Sequence, residues 1–143
     1  MKTCRKQKGL AAVEMIITIP VLLLILMAIT EVGNAFIRYN TLNKMAQNGI
    51  RYATTEITGT ASYDQIADVN AIKNIVVYGS STVGDGAKAM VDGLTTSDVN
   101  VNHAGGYVTV TINHNYTPMM GSFRSGMNFS FPLNASAMMR TAP

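Results

Sequence analysis

The sequence predicts an α+β protein, in which a long N-terminal helix packs on a small antiparallel sheet with one further helix. Three observations support this fold class. Residues 10–29 form an almost unbroken apolar run, residues 32–57 place apolar side chains at helical spacing, and the last third alternates apolar with polar residues. The 143 residues are enough for one domain beyond the apolar run.

A short basic leader precedes the apolar run. Four of the eleven Lys and Arg residues lie within residues 1–9. The rest of the chain contains the other seven and all eight Asp and Glu residues, so its net charge is −1. Because no basic face remains outside the leader, the sequence gives little support to nucleic-acid binding. Cys4 is the only cysteine, so no internal disulfide can form.

The apolar run from Leu10 to Ile29 has the length of a membrane-spanning helix, about 30 Å at ~1.5 Å per residue. The positive-inside rule places residues 1–9 in the cytoplasm and the body outside. The predicted organisation is a leader at 1–9, a transmembrane helix at 10–30 and an extracytoplasmic head at 31–143, with helix 31–56 continuing the membrane helix. Pro20 should bend the helix, and Thr18 is a candidate to bond the carbonyl that Pro20 leaves free at Ile16.

Glu14 lies inside this apolar run, five residues after Gly9. A lone carboxylate in a membrane helix costs a few kcal/mol and is usually functional or paired. Glu14 could lie near the interface and reach water. Alternatively, cleavage after Gly9 would free an α-amine on Leu10, which could pair with Glu14 of the same or a neighbouring chain. This pairing would specify the axial offset between packed subunits.

Secretory signal cleavage is a competing interpretation of the N-terminus. The leader is basic, the middle is apolar, and Gly33-Asn34-Ala35 is an acceptable small-x-small site. Three features disfavour this interpretation: the apolar run is long, Glu14 interrupts it, and the helical pattern continues beyond it.

A helical stripe continues after the membrane segment, which predicts one helix from about Leu10 to Thr55 whose second half supports the head. A second helix is expected at about 63–78, with a capping box at Ser62 and Gln65 and a C-cap at Gly79. Its end at 75–78 could equally be a strand. The members of the stripe are Val32, Ala35, Phe36, Tyr39, Leu42, Ala46, Gly49, Ile50, Ala53 and Ile57.

The last third predicts a β-hairpin followed by one more strand. Apolar residues alternate with polar ones on both sides of the turn sequence 103–106, and again over 129–139. Pro132 predicts an edge position or a late start for the last strand. Between them, the loop 117–128 carries Met119, Met120 and Phe123, expected mainly to fill the core, although they could face the membrane or a partner.

Catalytic, metal-binding and cofactor-binding patterns are missing from the sequence. His103 and His114 are the only histidines, and eleven residues of strand span over about 30 Å, so the two cannot share a metal within that strand. Gly84-Asp85-Gly86 is too short for a phosphate loop. We therefore expect no enzymatic activity, no metal and no cofactor.

Several motifs resemble the TadE-like family, pilin-like proteins of bacterial and archaeal Tad (Flp) pilus systems that are related to type IV pili. The resemblance covers about residues 5–55 and is weak beyond them, although the chain end 135–140 is similar. The motifs are Lys8-Gly9-Leu10-Ala11-Ala12-Val13-Glu14, Glu31-Val32-Gly33, Tyr39-Asn40-Thr41-Leu42 and Gly49-Ile50-Arg51-Tyr52-Ala53.

The resemblance implies a type IV pilin-like fold and a prepilin of the bacterial inner membrane. A prepilin peptidase would cut between Gly9 and Leu10 and leave Glu14 as the fifth mature residue. The product would be a minor pilin or pseudopilin that works with other pilin-like subunits and platform proteins in pilus assembly, surface adherence and biofilm formation. Met15 departs from the aromatic residue usual after the glutamate. That departure and the long chain favour an accessory subunit.

Two other functions stay open. The chain could be an unprocessed single-pass anchor whose head binds a ligand or an envelope partner. It could also be an exported soluble protein.

Overall fold

The computed structural model describes residues 7–56, 65–118 and 130–141. Two α-helices, α1 at Gln7–Thr55 and α2 at Val69–Tyr78, and a short 3-10 helix at Thr96–Asp98 precede the strands β1 at Val99–Ala104, β2 at Tyr107–Tyr116 and β3 at Phe131–Arg140. This arrangement confirms the predicted α+β class. The chain divides by its internal contacts into two units, Met1–Ala35 and Phe36–Pro143.

Some expectations fall on residues outside the described ranges. They concern Cys4, Ser62 as a capping residue, and the apolar side chains of the 117–128 loop at Met119, Met120 and Phe123.

Helix α1 confirms the long continuous helix that the sequence predicts. It begins at Gln7, contains Pro20 and ends at Thr55. The hydroxyl of Thr18 donates to the carbonyl of Glu14 at 2.7 Å. The expectation that Thr18 bonds the Ile16 carbonyl is therefore wrong, because its hydroxyl reaches back one full turn to residue 14.

Helix α2 is shorter than predicted at its N-terminal end. It begins at Val69, where the Asp68 carboxylate caps it by accepting a hydrogen bond from the Ala71 N–H at 2.9 Å. Just before it, the Ala67 N–H donates to the Ala53 carbonyl at 3.0 Å. That long-range bond holds the preceding segment against the end of α1, so the predicted start at 63 is wrong.

The C-terminal end of α2 is as predicted. Gly79 adopts the left-handed conformation at φ 75°, and its N–H donates to the Ile75 carbonyl. Residues 75–78 belong to the helix, so the alternative of a strand there is wrong. A residue with a Cβ would be strained at this φ, which explains why glycine ends the helix.

The three strands form an antiparallel sheet in the order β1-β2-β3, with β2 at the centre. The predicted hairpin is confirmed, and its turn is Gly105-Gly106, with φ of 61° and 76°. His103 lies on β1 opposite Val108 and not in the turn where the sequence pattern placed it. Pro132 lies on the edge strand β3, as expected, opposite Asn115.

The core of the Phe36–Pro143 unit lies between the second half of α1, α2 and one face of the sheet. The predicted apolar stripe is only partly correct. Val32, Phe36 and Tyr39 are 56 %, 64 % and 40 % exposed, since α1 enters the core only at Leu42. Ile57 lies outside the described residues. The largest fully buried side chains are Leu42, Ile72, Val76, Val77, Val99, Val108, Val110 and Ile112.

Candidate functional site

Gly9 and Leu10 lie in the first turn of the described part of α1, and both are exposed. Apart from its own stretch of helix, no described atom lies within 4 Å of the position that a Cβ on Gly9 would take. Glycine costs about 1 kcal/mol relative to alanine inside a helix, so a glycine without a packing reason lowers local helix stability for no gain to the fold. The fold of the described residues therefore does not explain Gly9.

Glu14 lies one turn after Leu10 on the same side of α1, since residues four apart are neighbours on a helix surface. Its side chain is exposed. The Thr18 hydroxyl donates to the main-chain carbonyl of residue 14 and not to its carboxylate. An exposed carboxylate at this place is available to a group outside the described chain.

The first half of α1 is long and apolar enough to cross a membrane. Its large apolar side chains are exposed from Leu10, at 77 %, through Ile29, at 64 %. In the second unit, Phe36 and Ile37 are also 64 % and 67 % exposed. Such surfaces mark contact with a membrane or with other proteins.

A polar cleft of about 440 Å³ lies in the second unit, where β2 extends beyond β1. We call it the β2-end cleft. Its charged lining consists of Arg38, Asp92 and Asp98. The guanidinium carbon of Arg38 lies 5.5 Å from the centre of the Tyr116 ring, which is a cation–π distance. The remaining lining residues are Gly93, Asn113, His114, Asn115 and Thr117.

His114 is buried at 6 % exposure, and its Nε2 has no hydrogen-bond partner among the described residues. Burial lowers the pKa of His114 below its ordinary value of 6.5, and the nearby positive charge of Arg38 lowers it further, while Asp98 acts in the opposite direction. The imidazole is therefore held neutral at pH 7. An unsatisfied buried polar atom is uncommon in proteins and calls for an explanation.

The two histidines are not brought together. His103 lies opposite Val108, six residues before His114 on β2, or roughly 20 Å along the strand. The hydroxyl of Thr141 lies 3.4 Å from the Nε2 of His103. Within the described ranges, no group of three His, Cys, Asp or Glu side chains is placed to hold a metal ion.

Sequence reasoning misses the β2-end cleft altogether. In the sequence, Arg38 stands out only as the next basic residue after the leader, and His114 only as a residue remote from His103. The one available signal is the position of His114 in the apolar register of β2, between Ile112 and Tyr116, which places an imidazole on the buried face.

Residues 9–51 match the model of a protein family described as TadE-like protein. That match confirms the resemblance predicted from the motifs, over the segment that begins at Gly9 and contains Glu14. It indicates a protein associated with Tad pili, and TadE-like pilus-associated proteins are not generally enzymes. No curated protein and no solved structure gives a significant match to this chain.

Proposed function

We propose that this chain is a minor pilin or pseudopilin of a Tad pilus, cut after Gly9 by a prepilin peptidase. The observation that carries the proposal is the TadE-like match over residues 9–51, which starts at the glycine itself and includes the carboxylate five residues later. The accessory role rests on the length of the chain and on Met15, where the main pilins usually carry an aromatic residue.

The proposed organisation keeps a leader at 1–9, a membrane helix at 10–30 and a head at 31–143. The basic leader lies in the cytoplasm and the head outside the inner membrane, in agreement with the positive-inside rule. The exposed apolar side chains of α1 support this arrangement, because they are stable only in lipid or against other helices. The partners are the peptidase, other pilin-like subunits and the platform proteins of the inner membrane.

Gly9 supports the cleavage step through its effect on the helix. A peptidase needs an extended substrate, and α1 already begins at Gln7, so residues 7–10 must unwind before they are cut. Glycine makes this unwinding easier, and no described neighbour opposes it. Cutting there produces an α-amine on Leu10, one turn from the Glu14 carboxylate.

After assembly, the Leu10 amine and the Glu14 carboxylate neutralise each other in lipid, within one chain or between adjacent subunits. An unpaired charge in that environment is costly. A subunit that packs at the wrong axial position would lose the pair, and such packing is therefore disfavoured. The function that follows is a contribution to pilus assembly, and through the pilus to surface adherence and biofilm formation.

N-terminal sequencing of membrane-extracted protein tests the cleavage. In a host with the Tad prepilin peptidase, the mature chain should begin at Leu10, and without the peptidase at Met1. Gly9→Ala should abolish the cut, whereas Gly33→Ala, at a second exposed glycine of the same helix, should leave it unchanged. A chain that still begins at Met1 beside an active peptidase, or one cut after Ala35, would refute this processing.

A further inference from the structure

The sheet has a second face, which points away from the core of the Phe36–Pro143 unit. Along β2, Val110 and Ile112 are fully buried, whereas Asn113 and Asn115, on the other side of the strand, are exposed. The pairing register extends this second face across all three strands. We call it the polar sheet face, and it is formed by the even-numbered residues of β1 and β3 and the odd-numbered residues of β2.

The composition of the polar sheet face is unusual for β-structure. The three strands contain five asparagines, and all five lie on this face with exposed side chains. Asparagine is depleted in strands, so each one opposes the local preference of the chain. Because they are exposed, they do not fill the core, and residues that break a local rule without a packing gain are typical of functional sites. The five are Asn100, Asn102, Asn113, Asn115 and Asn134.

The centre of the polar sheet face is uncharged and rich in hydrogen-bonding groups. The register places Asn100, Thr111 and Ser136 side by side across the three strands, and the hydroxyls of Thr111 and Ser136 lie 3.2 Å apart. Such neighbours are ~4.8 Å apart across strands, and the next side chain of the same strand on this face follows after ~6.8 Å. The charged residues that border the face lie at its margins, with Arg140 at the end of β3 and Asp98 just before β1. The face is therefore a neutral array of amides and hydroxyls.

The chemistry of these side chains decides what kind of ligand fits. Within the described ranges, no hydrogen bond engages the amide of any of the five asparagines, so these exposed amides bond to water in the free chain. A ligand that displaces this water must both donate and accept hydrogen bonds, because an amide has donors on its nitrogen and an acceptor oxygen. A folded protein partner places apolar groups at the centre of an interface and would leave the amides unsatisfied. Sugar hydroxyls donate and accept, as water does, and carry no charge.

Tyr107 adds an apolar surface at one end of the polar sheet face. It is 47 % exposed, and the register places it opposite Arg140. A tyrosine ring has an apolar face, against which the C–H groups of a sugar ring can pack, and a polar hydroxyl that stays in water. From Tyr107 to Asn115 the face extends ~27 Å along β2, at about 3.4 Å per residue, which suits a linear ligand.

We propose that the polar sheet face binds an uncharged, linear polysaccharide. The polysaccharide lies along β2, its hydroxyls bond to the asparagine amides and to the hydroxyls of Thr111 and Ser136, and one sugar ring packs on Tyr107. This inference rests on the proposed function, since a head outside the inner membrane with a role in surface adherence meets extracellular polysaccharide. The binding itself requires only the folded head and does not depend on cleavage after Gly9.

The test uses the full, uncut chain in phosphatidylcholine nanodiscs, with ¹⁵N label in the backbone and in the side-chain amides of asparagine. The chain is purified without glycoside detergents, because these carry sugar headgroups. The probes are three neutral hexasaccharides, cellohexaose, maltohexaose and mannohexaose, and the acidic control hexagalacturonate. At least one neutral probe should shift the side-chain amide signals of Asn100 and Asn134 but not that of Asn70, an exposed asparagine on α2. Its affinity should be the same at low and high NaCl concentration, since no charge pair is screened.

Variants test the amides and the hydroxyls separately. Asn134→Asp replaces the amide donors with a charge and should weaken binding of the neutral probe about tenfold. Thr111→Val removes one hydroxyl, keeps the β-branched shape and should weaken binding about threefold. Asn70→Asp, the same exchange on α2, should leave the affinity unchanged. The backbone amide signals of β2 away from the substituted position should stay in place in all three variants, which shows that the sheet is intact.

Three results would overturn the proposal. The first is no shift of the asparagine signals of the face with any neutral probe. The second is tighter binding of hexagalacturonate, or an affinity for the neutral probe that falls with salt, since either would mean recognition of charge. The third is a shift of the same signals with rising protein concentration and no sugar, which would make the face a contact between copies of this chain. A failure of cleavage after Gly9 would refute the processing step alone, because the chain tested here is uncut.

Discussion

Gly49 of α1 lies directly against the side chain of Val76 in α2. A Cβ at position 49 would overlap the Val76 Cγ2, and it would also approach the Val110 Cγ1 to 3.7 Å. Because Val76 and Val110 are fully buried, the two helices and the central strand meet at this glycine. The missing side chain sets how closely α1 and α2 approach in the head.

Gly49→Ala should therefore destabilise the head. Overpacking a core costs about 1–3 kcal/mol, while alanine returns up to about 1 kcal/mol of helix propensity. The net loss should appear as a lower unfolding temperature of the full chain in detergent, followed by circular dichroism. Gly33→Ala is the matched control in the same helix, since open space surrounds its Cβ position. An unfolding temperature for Gly49→Ala equal to that of Gly33→Ala would show that Val76 can move aside.

The cap of α2 predicts a second stability effect. Asp68 accepts the Ala71 N–H at 2.9 Å, which satisfies one of the free donors of the first turn. Asp68→Ala should lower the free energy of unfolding by about 1 kcal/mol. The exposed loop residue Asp85 provides the control, since Asp85→Ala removes the same charge away from a helix end. Equal effects of both variants would assign the loss to net charge instead of the cap.

His114 should make the stability of the head depend on pH. The pKa of His114 in the folded chain lies below 6.5. As the pH falls through 6.5, His114 therefore takes up a proton in the unfolded chain before it does so in the folded chain. Stability is therefore fully present above that value and decreases until the pH passes the folded pKa, by at most about 1.4 kcal/mol per pH unit for one proton. Arg38 and Asp92 border the same cleft, and Asp98 partly offsets the effect.

Denaturant unfolding of the full chain between pH 7.5 and 5 measures this dependence. His114→Leu should flatten the dependence of the free energy of unfolding on pH just below pH 6.5. His103→Gln, which changes the other histidine, should leave that dependence unchanged. The same slope in the wild type and in His114→Leu would assign the pH dependence to other groups.

The sequence predicts α1 and the hairpin well because both depend on local signals. The long apolar run continues into a helical stripe, and a Gly-Gly turn separates two alternating segments. The start of α2 is mispredicted because Ser62 and Asp68 both precede plausible helices, and the bond between Ala67 and Ala53 that distinguishes them joins distant parts of the chain. Helical spacing also cannot tell that the core begins at Leu42 and leaves Phe36 exposed.

The two candidate sites, the Gly9–Glu14 motif and the β2-end cleft, also differ in whether the sequence alone reveals them. The Gly9–Glu14 spacing is contiguous in the chain, so the motif and its family match can be recognised without a structure. The β2-end cleft depends on where the pairing of β1 with β2 ends and on the approach of Arg38 to Tyr116, seventy-eight residues later. No local pattern encodes either relationship.

The role of Glu14 gives the last prediction. Glu14→Gln keeps the size of the side chain and removes the charge that would neutralise the Leu10 amine. Because Gly9 and Leu10 are unchanged, the variant should still be cut by the peptidase. It should fail to copurify with other pilin-like subunits, since an unpaired amine in lipid opposes packing at the correct height. The measurements are N-terminal sequencing and the amount of this subunit in sheared pili or in the detergent-extracted assembly.

Two further variants at the same place separate charge from shape. Glu14→Asp retains the carboxylate on a shorter side chain and should recover part of the incorporation. Met15→Leu changes the neighbouring apolar side chain, keeps the charge pair and should be incorporated as in the wild type. If Glu14→Gln is cleaved and incorporated at the wild-type level, pairing with the amine plays no part in assembly. The carboxylate would then need another explanation, such as solvation at the membrane interface.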